Sequence, residues 1–366
     1  MKTNDFEYEL PERLIAQTPV EPRDASRLMV VHRDSGEIEH RVFHDVTDYV
    51  RPGDLLVLNQ TRVIRARLFG RKAGTGGKVE LLLLQRRDEQ TWEALVGGKG
   101  LREGVVVELA GRRSEEQVAG SGGQGVRRAT IVGETEAGGR VVRFEEPVDG
   151  WLDEVGVMPL PPYIHEPLAD DERYQTVYGR IEGSVAASTA GLHFTPELLV
   201  QARRMGVEMA FVTLQIGLDT FRPVKEETVE EHLMHSEWIE VTAPVAEQVN
   251  RARLEGRRVV AVGTTVVRAL ETAAGGSTEV GCDAEEGMAC AWRTISAYTG
   301  ATELFIYPGY RFRVIDAMIT NFHLPRSTLL MLVSAFAGRD LILRAYQTAV
   351  KREYRFFSFG DAMLLL

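Results

Sequence analysis

The sequence predicts an α/β fold that carries an inserted small all-β domain, and three observations lead there. After residue 195, strand-length apolar runs alternate with helical apolar periodicity, and polar turns join them, the pattern of an α/β sheet. Between residues 61 and 149 the texture differs: short Val/Leu runs are spaced by Gly-rich turns with no helical period. The length of 366 residues exceeds one hydrophobic core, and 44% hydrophobic content fills two. The predicted division is therefore 1–60 with 150–366 for a discontinuous α/β catalytic domain, and 61–149 for an inserted antiparallel barrel or sandwich.

In chain order, residues 28–31 and 54–58 read as short buried strands, bounded by turn signals at Asp34-Ser35-Gly36 and Pro52-Gly53. The insert supplies strand-like runs at 78–84, 92–96, 105–109, 129–132 and 140–144, with a Gly-rich turn at 120–125. Thr195-Pro196-Glu197 is an N-cap and first-turn proline ahead of Leu198, Leu199, Ala202 and Met205, so a helix starts just after His193-Phe194. Residues 211–214 read as a strand, 244–255 as a helix and 258–262 as a strand; Gly263-Thr264-Thr265 then opens a helix bearing Val267, Leu270 and Ala274. A very apolar helix over 329–336 follows the polar turn ending in Pro325. Residues 275–290, rich in Gly and acids, read as a surface excursion with no catalytic role.

Formal net charge is −10, which argues against a general nucleic-acid coating protein. The densest local basic run is Arg62, Arg65, Arg67, Arg71 and Lys72; it reads either as an RNA-phosphate patch or as a solvated strand face. Cys282 and Cys290 fit neither a disulfide framework nor a zinc spacing and are expected to be free thiols. An acidic start without an apolar core, and no window of about 18 apolar residues, place the chain among soluble cytoplasmic proteins with no membrane contact.

Three of the eight histidines sit in polar knots that neither helix nor strand formation requires. The knots are Ser188-Thr189-Ala190-Gly191-Leu192-His193-Phe194, Met234-His235-Ser236-Glu237 and Thr320-Asn321-Phe322-His323-Leu324-Pro325-Arg326-Ser327-Thr328. Imidazoles beside Thr, Asn, Glu and Ser at Gly or Pro turns point to one pocket built from distant loops, hence to an enzyme. Gly263-Thr264-Thr265 with Arg268 one turn in offers backbone N–H groups, two hydroxyls and a guanidinium, suited to an anion or an amino-acid carboxylate. It carries neither a dinucleotide nor a nucleoside-triphosphate fingerprint. A metal site built from the three knot histidines would contain no His-x-His or His-x-x-x-His pair, so no metal is expected.

With the knots, the strings Gln17-Thr18-Pro19-Val20-Glu21-Pro22-Arg23-Asp24-Ala25-Ser26-Arg27-Leu28, Met158-Pro159-Leu160-Pro161-Pro162-Tyr163-Ile164, Glu172-Arg173-Tyr174-Gln175-Thr176-Val177-Tyr178 and Tyr354-Arg355-Phe356-Phe357-Ser358-Phe359-Gly360-Asp361-Ala362-Met363 span nearly the whole chain. In that order they resemble the S-adenosylmethionine:tRNA ribosyltransferase-isomerase family of queuosine biosynthesis. The resemblance implies a larger α/β domain with an inserted β-barrel. It implies transfer and isomerisation of the ribosyl part of S-adenosylmethionine onto 7-aminomethyl-7-deazaguanine in the tRNA wobble position. Epoxyqueuosine forms, and adenine and methionine leave. S-adenosylmethionine is then a substrate, the other partner is tRNA, and the expected state is a monomer.

That chemistry needs a base for a ribose 5′-proton acidified by sulfonium, donors for the leaving adenine and an anchor for the methionine carboxylate. On the resemblance, His193 or His323 serves the proton and Asn321 and Thr189 position the substrate beside Gly191. Thr264, Thr265 and Arg268 anchor the carboxylate, and Glu237 beside His235, both in the catalytic set, balances the sulfonium charge or orients that imidazole. Arg23, Asp24, Arg27, Asn59, Arg62, Arg326 and Ser327 are further pocket or RNA-backbone residues. The chain departs from the family pattern with Ser188 and Arg65 where similar proteins usually carry Pro, Gln215 for His, Asp219 for Gly, and Gly97-Gly98-Lys99-Gly100 for a basic tract. Gln215 hydrogen-bonds but cannot act as an acid or base near neutrality.

Overall fold

The computed structural model describes residues 1–109, 127–135, 138–217, 224–234, 236–276 and 294–366. These form two compact units, Met1–Arg62 with Pro161–Leu366 and Val63–Leu160. The second division falls at Leu160/Pro161, downstream of the expected 149/150. The extra stretch stays with the smaller unit because Val157 and Arg67 exchange backbone hydrogen bonds and Arg65 reaches Asp153.

The larger unit is built on a nine-stranded mixed sheet. Its strands are β1 (Arg27–Val31), β2 (Ile38–Val42), β3 (Leu55–Asn59), β12 (Glu208–Leu214), β13 (Glu237–Val241), β14 (Val259–Val262), β15 (Tyr298–Thr302), β16 (Ala317–Asn321) and β17 (Ala362–Leu365). In space the order is β15-β13-β12-β3-β14-β16-β17-β1-β2, and the four central strands β12, β3, β14 and β16 run parallel. Apolar side chains cover both faces. Leu55 and Val57 join one core with Met29, Val212, Val259 and Ala261, whereas Leu56 and Leu58 join the other with Leu28, Val260, Val262 and Ile319. Burial on both faces is why 54–58 and 258–262 read as continuous apolar runs instead of alternating ones.

Helices α2 (Pro196–Arg204), α3 (Ala243–Leu254), α4 (Thr264–Gly276), α5 (Thr328–Ala337) and α6 (Arg339–Lys351) flank this sheet; α1 (Leu152–Val155) is a single turn in the smaller unit. The starts follow the sequence signals. Thr195 Oγ1 accepts Leu198 N–H at 3.1 Å to cap α2, and Ser327 Oγ accepts Leu330 N–H at 3.2 Å to cap α5. The short strands β4 (Thr61–Val63) and β11 (Ile181–Ser184) form a separate ribbon.

In the smaller unit, β5 (Arg67–Lys72), β6 (Lys78–Arg86), β7 (Thr91–Gly97), β8 (Val106–Leu109), β9 (Arg128–Glu134) and β10 (Arg140–Phe144) close into a six-stranded antiparallel barrel, which resolves barrel against sandwich. Closure leaves no open sheet edge. Gly70 is required inside it: a Cβ there would lie 2.5 Å from the Glu108 carbonyl oxygen. Strand β5 carries Arg67, Arg71 and Lys72 of the basic run, each half-buried. Residues 120–125, Asp219, His235, Cys282 and Cys290 lie outside the described residues.

Candidate active site

The carboxyl ends of the parallel strands β14 and β16 converge on a cleft of about 600 Å³ in the larger unit. Its walls come from Ser188 to Ala190, from Gly263-Thr264-Thr265, from Thr320 to Leu324, and from Phe357 and Ser358. Crevices at strand carboxyl ends are where open α/β sheets bind ligands. Gly263, at φ +93°, turns the chain from β14 directly into α4, with its N–H bonded to Ile319 O at 2.7 Å. The first N–H groups of α4 have no partner inside the helix, so the positive helix end faces the cleft beside the Thr264 side chain.

Asn321, the last residue of β16, organises the wall. Its Oδ1 accepts from Thr189 Oγ1 at 2.9 Å; its Nδ2 lies 3.1 Å from His193 Nε2 and 3.3 Å from Phe357 O. Because an amide nitrogen only donates, His193 Nε2 is the acceptor and Nδ1 carries the hydrogen toward Ser26 Oγ, 2.7 Å away. The ring stacks on Phe43 with centroids 4.9 Å apart. Burial foremost, then Arg23 and Arg355, lower its pKa to about 3, so it is neutral at pH 7. With both nitrogens engaged by the protein, His193 positions Asn321 and does not reach the cleft itself.

His323 does line the cleft. Tyr8 Oη donates to its carbonyl at 2.5 Å and its N–H donates to Tyr346 Oη at 2.9 Å. Tyr346 Oη also lies 3.3 Å from Nδ1, and Thr320 Oγ1 lies 3.2 Å from Nε2. Burial lowers this imidazole too, to about 3. In the tautomer with hydrogen on Nδ1, the ring presents an Nε2 lone pair beside the Thr320 hydroxyl at the cleft wall; in the other, Tyr346 O–H donates to Nδ1 and Nε2–H faces Thr320.

Thr265 also lines the cleft, and its Oγ1 lies 3.2 Å from Ser188 Oγ and 3.5 Å from Asn59 Nδ2. Asn59 is fully buried and spends its oxygen on Thr61 and Leu214, so it braces the wall without touching the cleft space. Gly191 is needed by packing: a Cβ would sit 2.0 Å from Tyr178 Oη. Ser327 lines the cleft with its hydroxyl already used as the α5 cap, donating to Leu324 O at 2.8 Å.

Other expected site residues lie elsewhere, and two expectations are corrected. Arg268 is 3% exposed and its guanidinium pairs with the buried Glu237, with Nε on Leu304 O at 3.1 Å. It therefore anchors no carboxylate at the cleft, and Glu237 balances Arg268, not a bound cation. A helix buried all round can hold an arginine only if a carboxylate meets it, and that partner comes from β13. Arg27 ties β1 to β17 through Asp361 at 3.0 Å and stacks over Tyr354. Arg62 pairs with Glu172, and Arg326, at φ 54°, pairs with Glu7 at 2.8 Å. Asp24 is half-buried next to Arg23. Among the described residues no group of three or more His, Cys, Asp or Glu could hold a metal ion, and no helix is long and apolar enough to cross a membrane. Tyr8, Tyr346 and Ser26, which hold the two imidazoles, were not singled out from the sequence; their partners lie 315, 23 and 167 residues away.

The family model described as "Queuosine biosynthesis protein" matches residues 3–365. A protein of Moorella thermoacetica named S-adenosylmethionine:tRNA ribosyltransferase-isomerase is 55% identical, and one of Symbiobacterium thermophilum with the same name is 54% identical, each over 100% of both chains. The crystal structure of S-adenosylmethionine tRNA ribosyltransferase from Thermotoga maritima shares 40% identity at a TM-score of 0.53, over 99% of this chain and 100% of that one. Identity of that extent, and a family match from end to end, mean that this chain belongs to the S-adenosylmethionine:tRNA ribosyltransferase-isomerase family of queuosine biosynthesis.

Proposed function

We infer that this chain transfers and isomerises the ribosyl moiety of S-adenosylmethionine onto 7-aminomethyl-7-deazaguanine in the tRNA wobble position, giving epoxyqueuosine with release of adenine and methionine. The observation that carries this reading is identity above one half, over both chains entire, with relatives named for that activity. S-adenosylmethionine acts as substrate and no metal takes part. The chain is read as a cytoplasmic protein that works as a monomer.

Residue roles follow from the cleft. The N-terminus of α4, with the Thr264 hydroxyl, takes the methionine carboxylate in place of Arg268. Asn321 and Thr189, held by His193, orient the ribose and the leaving base. His323 accepts the sulfonium-acidified ribose 5′-proton at Nε2 while Nδ1–H rests on Tyr346. Burial keeps the ring neutral at pH 7 and therefore in the form that accepts a proton, and the transferred proton is positioned to pass on to the departing adenine. The test is chromatographic detection of adenine from S-adenosylmethionine and tRNA bearing the aminomethyl base. Stoichiometric adenine with that tRNA, and none with unmodified tRNA, is expected. Absence of adenine overturns the reading, and release only with a different acceptor makes the chain a divergent transferase.

A further inference from the structure

We propose that a second cavity beside the cleft, lined by Arg23 and bordered by Arg355, binds one phosphodiester of the substrate RNA. The proposal rests on the tRNA reading above and names the part of the protein that grips the strand. The cavity, open to solvent, is lined by Pro19, Val20, Arg23, Arg173, His193 and Ser358, among others. Ser358 also lines the cleft, and the partition between the two spaces is the 3.1 Å contact of Asn321 with His193.

The charges here are unusual. Arg23 donates to two neutral carbonyls, Leu192 O at 3.3 Å and Glu172 O at 2.6 Å. Arg355 gives one guanidinium N–H to Thr18 O, next to the wall residue Pro19. Neither guanidinium has a carboxylate within ion-pair reach among the described residues, although both are partly removed from water and burial opposes their charge. Arg23 lines the cavity, and Arg355 borders it, three residues before the lining Ser358. Arg173, the third arginine, is already paired with Glu21.

An arginine has five N–H donors in a rigid fork, so most donors of Arg23 and Arg355 remain for a ligand. Two half-buried guanidiniums that hydrogen-bond only carbonyls, with Asp170, Glu172 and Asp361 acting on them from beyond ion-pair distance, have donors to spare for an anion. A phosphodiester offers two non-bridging oxygens, one for each guanidinium. A nucleotide whose base and ribose occupy the cleft has its backbone next door, and a chain of net charge −10 needs concentrated positive sites to hold RNA.

The test is direct titration of full-length Arg23→Gln, Arg355→Gln and the double variant with modified tRNA across a salt series, beside calorimetric titration with S-adenosylmethionine and melting curves. Each single change is expected to weaken tRNA binding about tenfold, as for loss of a charge-assisted hydrogen bond. The double variant is expected to lose about 0.7 from the salt slope, one phosphate of a single strand, with S-adenosylmethionine affinity unchanged. Weakened S-adenosylmethionine binding with normal tRNA binding overturns the proposal and assigns the arginines to the methionine carboxylate. Normal affinity for both also overturns it. Should Arg23→Gln melt early through loss of its carbonyl ties, Arg355→Gln alone decides. Because binding is read without turnover, failure of wild-type adenine release would refute the proposed reaction and leave this result independent.

Discussion

His323→Ala separates chemistry from architecture most sharply. The sequence alone suggests little loss of stability, since the histidine sits in a polar turn before Pro325. The structure corrects that: the residue is 7% exposed and its ring lies within hydrogen-bonding distance of Thr320 at 3.2 Å and Tyr346 at 3.3 Å. Two neutral hydrogen bonds are worth about 1–3 kcal/mol together. At about 2–4 °C per kcal/mol for a chain of this size, the variant should melt several degrees early yet stay folded at 25 °C. Its Tyr346 hydroxyl keeps the backbone N–H of residue 323, which limits the damage. Loss of a general base costs about a hundredfold to ten-thousandfold in rate, about 2.7–5.4 kcal/mol of barrier.

The assay is single-turnover adenine release at saturating S-adenosylmethionine, with the melting curve measured on the same preparation. His323→Gln is the control, because it keeps a hydrogen-bonding side chain and removes the base. Both variants should be slow, with binding of S-adenosylmethionine nearly unchanged. Since the ring pKa is lowered to about 3, wild-type kcat should show no His323 titration between pH 5 and 8. A normal rate in the folded fraction of either variant refutes the base assignment. An inflection near pH 6.5 that disappears in His323→Gln refutes the claim that burial keeps this ring neutral.

Low pH should destabilise the fold through His193 and His323, whose pKa values fall from 6.5 unfolded to about 3 folded. The unfolded chain takes these protons first, so each ring withdraws about 1.4 kcal/mol per pH unit as pH drops below 6.5; denaturant titrations that coincide at pH 6.5 and 5 would contradict this. Arg268→Ala strands the buried Glu237 carboxylate and should cost about 3–5 kcal/mol, with little change in S-adenosylmethionine affinity of the folded protein. Weak binding at an unchanged melting temperature would return Arg268 to the cleft. Gly191→Ala drives a Cβ to 2.0 Å from Tyr178 Oη, so about 1–3 kcal/mol of overpacking and a slower reaction are expected from displacement of Thr189. A variant as stable and active as wild type would show that the turn has room to yield.

How far the sequence discloses this site depends on how local each determinant is. The runs at 54–58 and 258–262, and the turn Gly263-Thr264-Thr265, are local patterns, and the structure realises them as β3, β14 and the start of α4 within a residue or two. The Gly-spaced insert is likewise local and becomes the barrel. Strand β17 was not read from sequence, because Ala362–Leu365 is four apolar residues at the chain end whose strand character comes from pairing with β1 and β16. Arg268 carried a usable signal: an arginine flanked by Val266, Val267, Ala269 and Leu270 belongs to a buried helix and must be matched inside the protein. His193 carried one too, since Leu192 and Phe194 on either side mark a core position, but its dependence on Ser26 is invisible without the fold.

The departures at Ser188 and Gln215 show the same distinction acting on function. Ser188 places a hydroxyl 3.2 Å from Thr265 Oγ1, a bond between the Thr189 turn and the first turn of α4 that a proline there could not make. Gln215 lies outside the cleft wall; its amide packs where a Cβ on Gly183 would come within 2.5 Å of Nε2, a position already at φ +130°. Its inability to titrate thus has no place in a proton path through His323. What these two positions alter is the support of the wall, while Asn321, Thr189, Thr264 and His323 remain together along one cleft.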